Sequence, residues 1–169
     1  KPVEMRQQNR AFVPDLLVIT AGQSVDFFNA DALYHNVFSR SASADFDLGT
    51  FKEGSKVRKF DKPGLVDVYC NIHETMVANI LVLPNRAFAR TGADGRFELP
   101  NLPPGKHTVF AWLRGGQPQK QEVEVTPGGS VTVSFDLEQR VGQRHKNKHG
   151  KDYPAEPKEG YDKPAKKGG

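Results

Sequence analysis

Cysteine occurs once in this chain of 169 residues, tryptophan once and methionine twice. A single thiol cannot close an internal disulfide, nor can it supply the paired cysteines of a C-x2-C zinc or redox motif, although it leaves the compartment open. Long hydrophobic runs are missing as well. The longest, Val77 to Leu83, is interrupted by Asn79 and is far too short to span a bilayer. No stretch of the N-terminal half carries a helical period of apolar residues. Base-reading motifs and stacking platforms are absent, which argues against nucleic acid as a partner. No convergent acid–base pair points to catalysis, so no enzyme is expected.

What remains is ordinary for a soluble globular chain: 37% hydrophobic and 26% charged residues, enough to bury a core as one domain or two small ones. The net charge of +4 is unevenly placed. Residues 139–169 hold nine Lys/Arg against four Asp/Glu, which leaves 15 against 16 in residues 1–138, so the basicity belongs to the tail. Lys1-Pro2-Val3-Glu4 has no initiator Met and no signal-peptide hydrophobic region, so a mature form whose signal peptide has already been removed, or a trimmed one, is expected.

Strand signals fill the first half. Val3 to Gln7, Leu16 to Thr20, Ser24 to Asn29, Asn36 to Arg40, Lys56 to Phe60, Leu65 to Tyr69 and Ala78 to Leu83 alternate or are β-branched, with turns at Ala21-Gly22-Gln23 and Lys62-Pro63-Gly64. The Ser/Ala/Asp stretch reaching Leu48 reads as irregular. Seven or eight short strands imply a β-sandwich.

The chain is organised around Val68-Tyr69-Cys70-Asn71-Ile72-His73-Glu74-Thr75-Met76. A thiol, an imidazole and a thioether at C-x2-H-x2-M are the donors of a copper site with a thiolate bond and a weak axial sulfur. Cys70 closes the alternating run from Leu65, so it would emerge at a strand end while His73 and Met76 curl back from the following loop. A trigonal site needs a second histidine, and His35 stands at the start of another strand-like run. Taken singly, a lone Cys reads as a small buried hydrophobe and Met76 as core. Taken together, four such residues where a sheet scaffold would converge them favour copper. His73-Glu74 begins like a zinc-protease helix, but Val77 stands where H-E-x-x-H needs its second histidine.

With Phe12-Val13-Pro14, Leu16 to Ile19, Gly22, Val25, Phe28-Asn29 and His35-Asn36-Val37, this motif resembles the cupredoxins, in the plastocyanin and amicyanin branch. The short ligand loop is most similar to amicyanin, and the wider pattern resembles bacterial cupredoxin-like chains often labelled methylamine-utilisation proteins. The resemblance covers roughly the first half of the chain. It implies a Greek-key β-sandwich holding one type 1 copper ion, with His35, Cys70 and His73 equatorial and Met76 axial. Asn36 would match the family's asparagine that ties its strand to the Cys-bearing strand. Electrons would leave through His73 and an apolar patch of Phe12, Pro14, Leu33 and Ile72, although Ile72 and Glu74 replace the prolines that amicyanin carries around that histidine.

A second module follows. The segments 86–90, 96–99, 107–112, 121–126 and 131–137 give five strand signals, with Asp94-Gly95 as a hairpin cue. The D-G-x-F-x-L-P…L-P-P-G-x-H-x-V pattern resembles carboxypeptidase regulatory-like and collagen-adhesin B-type modules, which are small transthyretin-like β-sandwiches. Its core would be marginal alone, so it is expected to pack on the first domain or on a partner, with Trp112 as an anchor and His107 structural. From Gln139 the chain is Lys/Gly/Pro-rich and cannot fold by itself. If ordered, it would lie along another protein.

The expectation is therefore an all-β chain with a cupredoxin domain at 1–84, a carboxypeptidase regulatory-like sandwich at 85–138 and a basic flexible tail at 139–169. It would be a periplasmic or otherwise extracytoplasmic bacterial electron carrier, cycling Cu(I)/Cu(II) with a protein redox partner. That partner would be a cytochrome or a large membrane-associated complex, met in part by the basic tail. The alternatives are an accessory subunit that uses the fold for docking, and a copper storage or delivery protein.

Overall fold

The computed structural model describes residues 1–140, 142 and 144–155, and the chain divides into two units, Lys1–Arg86 together with the segment from His145, and Ala87–Arg144. No helix occurs among the described residues, and so none is long and apolar enough to cross a membrane.

The first unit contains nine strands: β1 (Val3–Gln8), β2 (Ala11–Val13), β3 (Leu16–Thr20), β4 (Gln23–Asn29), β5 (His35–Ser41), β6 (Ala44–Phe51), β7 (Ser55–Phe60), β8 (Gly64–Tyr69) and β9 (Val77–Leu83). They form a four-stranded sheet, β2-β1-β4-β7, and a five-stranded sheet, β3-β9-β8-β5-β6. The β1–β4 and β3–β9 pairs are parallel and the other pairs antiparallel. Alternation decides what enters the core, because successive side chains leave a strand on opposite faces. Val25 and Phe27 of β4, Val66 and Val68 of β8, and Ile80 and Val82 of β9 are all buried in one hydrophobic cluster. Gly64 opens β8 at φ 146°, and a Cβ there would come within 2.9 Å of the Ser43 Cβ, so the turn requires glycine.

Parity also carries the site. Cys70 follows Val66 and Val68 on the inward face, and His35 shares its parity with the core residue Val37. The β5–β6 register slips between Asn36 and Phe38, a bulge immediately beside the candidate ligand. The stretch expected to be irregular up to Leu48 is mostly β6, because pairing with β5 overrides its weak local preference.

Phe27 is fully buried, with its ring centroid 6.2 Å from that of Phe46. Truncating Phe27→Ala should cost about 3–5 kcal/mol, through lost transfer energy and the cavity left behind. Denaturant unfolding measures this, and a cost below about 1 kcal/mol would contradict the core assignment.

The basic tail corrects an expectation. Residues 145–153 lie on their own chain, which the expectation had not given them. The His145 ring stacks on Tyr69 with centroids 4.0 Å apart, and Tyr153 meets His145 edge-on at 5.2 Å. Residues 145–153 contain no aliphatic side chain, but two aromatic rings and directed hydrogen bonds replace the apolar surface that this composition withholds. Residues 156–169 of the expected tail lie outside the described residues.

In the second unit, β10 (Gly105–Ala111) and β11 (Gln119–Val125) pair antiparallel from Gly105↔Val125 to Ala111↔Gln119. These are two of the five expected strand segments. The Asp94-Gly95 cue does form a turn, with Gly95 N–H donating to the Gly92 carbonyl at 2.9 Å, but among the described residues its flanks build no ladder. Instead of a third strand, side-chain amides hold the segment after β11: Gln121 donates to the Ser134 carbonyl at 2.6 Å, and Gln119 donates to that of Asp136. His107 lies 2.7 Å from the Pro103 carbonyl, and Trp112 is half-buried.

Candidate metal centre

The sulfur of Cys70, at the end of β8, and the imidazoles of His35, at the start of β5, and His73, in the β8–β9 loop, converge so that one donor atom from each lies within 4.8 Å of the others. His35 and Cys70 are fully buried, and His73 is only 7% exposed. The two Nδ1 atoms stand 3.1 Å apart, and Cys70 Sγ is 3.8 Å from His73 Nδ1. Met76 is also fully buried. The loop that carries it closes on itself, with Cys70 N–H donating to the Met76 carbonyl at 3.3 Å and Met76 N–H to the His73 carbonyl at 3.1 Å.

Backbone groups are aimed at the sulfur. The Asn36 and Ile72 N–H groups lie 3.5 and 3.4 Å from Cys70 Sγ. Burial opposes ionisation of the thiol. Hydrogen bonding with His35, His73 and the Asn36 N–H outweighs burial and lowers the pKa from 9.0 to about 6. These contacts favour the thiolate, the form of cysteine that binds a metal.

Asn36 ties strands together around that sulfur. Its side-chain amide donates to Asp47 at 2.7 Å and to the Gly49 carbonyl at 2.9 Å, while its Oδ1 accepts from Asn71 N–H at 3.2 Å. Burial acts to raise the pKa of Asp47, but its bonds to Lys148, Asn36 and the Gly49 N–H prevail and lower it.

Sequence reasoning missed Asp31. Its Oδ2 lies 2.7 Å from His35 Nε2, and its carboxylate accepts from the Asn9 and Arg10 N–H groups at 2.7 and 3.0 Å. A carboxylate there accepts the Nε2 proton, so Nδ1, which faces His73 in the cluster, is the atom that the neutral ring would offer to a metal. Burial would raise the Asp31 pKa, yet these bonds lower it. The Asp-x3-His spacing was the one signal available. Lys148 and Tyr153 were missed as well, and nothing local marks them.

The expected exit patch divides. Phe12 is 3% exposed and belongs to the hydrophobic core, because β2 turns it inward opposite Gln7. It is therefore not a surface residue. Pro14 is exposed, and Leu33 and Ile72 are half-buried, Ile72 packing against the core.

The first unit is an all-β two-sheet sandwich with two imidazoles and a cysteine sulfur gathered at one end of its strands, the arrangement that the cupredoxin resemblance implies. Its donors suit copper, since soft thiolate and imidazole are what that metal selects. The carboxypeptidase regulatory-like domain family matches residues 77–138, a span that also takes in β9 of the first unit. Similar solved structures include the Cu-containing nitrite reductase of Thermus scotoductus SA-01, at 26% identity and TM-score 0.46, covering 48% of this chain and 22% of that one. A reduced amicyanin variant is 21% identical with TM-score 0.45, and a Cu(I) amicyanin variant 19% identical with TM-score 0.45, each covering 48% of this chain and 81% of the amicyanin. No curated protein matches the chain.

Proposed function

We propose that this chain is a type 1 copper electron-transfer protein that exchanges single electrons with a protein redox partner in a bacterial extracytoplasmic space. The observation that carries the reading is the buried convergence of His35, Cys70 and His73 within 4.8 Å. Copper held there would supply a one-electron Cu(I)/Cu(II) couple. Cys70 would hold it as thiolate, His35 and His73 as imidazoles, and Met76 as a weaker thioether donor. Asn36 and Asp31 would orient the ligands by hydrogen bonding. Transfer rather than catalysis is supported by burial: with three of the four proposed ligands fully buried and the fourth nearly so, little room is left for a substrate. The second reading, an accessory subunit of a redox assembly, draws on the separate second unit and its family match.

Titration of the reduced apoprotein with Cu(II), followed by visible absorption and EPR, tests the proposal. One equivalent should produce an intense thiolate-to-copper band with a small copper hyperfine splitting. A folded protein without that signal would overturn it and leave the accessory reading in front. Met76→Ala should keep the band but shift the reduction potential. Because Met76 is fully buried, the same change should also cost about 2–5 kcal/mol of stability. An unmoved potential would remove Met76 from the ligand set.

A further inference from the structure

The ligand loop is held from outside by the far end of the chain. The Tyr153 hydroxyl donates to the Cys70 carbonyl at 2.7 Å, Lys148 N–H donates to Asn71 Oδ1 at 3.0 Å, and His145 Nε2 lies 2.7 Å from the Glu74 carbonyl. Three positions of the loop between β8 and β9 are thus met by residues more than seventy positions away in sequence. A fourth contact reaches the thiolate's surroundings. The Lys148 ammonium lies 2.7 Å from Asp47 Oδ2, and the other oxygen of that carboxylate holds Asn36, whose backbone N–H faces Cys70 Sγ.

The segment is itself shaped for this. Asn147 N–H donates to the Lys151 carbonyl at 2.8 Å, Gly150 N–H returns to the Asn147 carbonyl at 2.9 Å, and the Asn147 side chain accepts from the His149 and Lys151 N–H groups. Gly150, at φ 73°, takes the left-handed conformation that the turn needs. Lys146 pairs with Asp152 at 2.6 Å. A compact loop therefore presents Lys148 on one side, with the His145 and Tyr153 rings flanking it.

We infer that residues 145–153 are a strap that positions the Cys70–Met76 loop, so that the geometry and metal retention of the site depend on the C-terminal segment. The inference rests on the reading of that loop as a copper-ligand loop, but its first readout needs no metal. Two variants separate the strap from general stability: a chain ending at Arg144, and the full-length double variant Lys148→Met with Tyr153→Phe, which keeps ring and stem packing while removing the Tyr153–Cys70 and Lys148–Asp47 side-chain bonds.

In the apoprotein, amide hydrogen exchange at Asn71, Ile72 and Met76 should accelerate roughly tenfold or more in both variants, with Val25 and Phe27 of β4 unchanged. With copper bound, affinity should fall roughly 10–100-fold and the EPR hyperfine splitting should change, while Lys148→Arg restores both. Unchanged exchange in the loop, or acceleration spread equally to Val25 and Phe27, would overturn the strap. If the parent protein gives no thiolate-to-copper band, the copper reading fails, and the apoprotein exchange still decides the strap.

Discussion

Replacing Cys70→Ser will abolish the intense visible band of the copper-loaded protein. That band would arise from charge transfer between the cysteine thiolate and copper, and a hydroxyl is a harder and far less acidic donor that cannot replace it. The fold should survive, because the Asn36 and Ile72 N–H groups that face the sulfur remain available to a hydroxyl oxygen. The cost of placing that hydroxyl in a fully buried position should be about 1–3 kcal/mol. Visible absorption measured beside circular dichroism checks both halves. An unaltered visible spectrum in a folded Cys70→Ser protein would remove Cys70 from the site and the type 1 reading with it.

Asp31→Ala should have the next largest effect, although Asp31 touches no metal in the proposed arrangement. Its carboxylate meets His35 Nε2 and also caps the N–H groups of Asn9 and Arg10, two non-glycine residues held at φ 55°. Removing it frees the ring of His35, abolishes the preference for the tautomer that offers Nδ1, and leaves a strained turn without its acceptors. Copper affinity should fall roughly 10–100-fold. The reduction potential should rise, since an anion beside the ligand favours Cu(II) over Cu(I). Asp31→Asn should be milder on the turn, where its carbonyl oxygen still accepts, but its amide nitrogen cannot accept from His35. Competition titrations and voltammetry measure both quantities, and a variant that moves neither would reduce Asp31 to a turn residue.

The candidate donor residues were legible for a chemical reason. Cysteine and methionine are scarce here, so finding both within seven residues with a histidine between them carries information that another leucine would not. The strands of the first half were legible because inward parity repeats along β4, β8 and β9, and the same parity sends Cys70 inward. β6 was not, because its Ala, Asp and Gly residues have little strand preference and pair only once β5 lies beside them. The second module's strand signals outnumber its strands, since alternation can mark an extended segment but cannot guarantee it a backbone partner.

The tail shows the limit most plainly. Its composition correctly excludes an independent core. Docking is another matter, because it depends on where the Cys70 and Glu74 carbonyls, the Asn71 side chain and the Asp47 carboxylate lie in space. Phe12 depends on the same kind of information: the β1–β2 pairing is what turns it into the core.

By itself, then, the sequence determined the all-β class, the donor types and the short spacing that brings three of them together, because these follow from side-chain chemistry and strand alternation within a few residues. Only the tertiary structure decided that His35 reaches His73 across 38 positions, that Asp31 meets its Nε2, and that residues 145–153 lie against the Cys70–Met76 loop. Those contacts join distant parts of the chain, and the hydrogen-bonding groups that select them acquire a direction only when the sheets have formed.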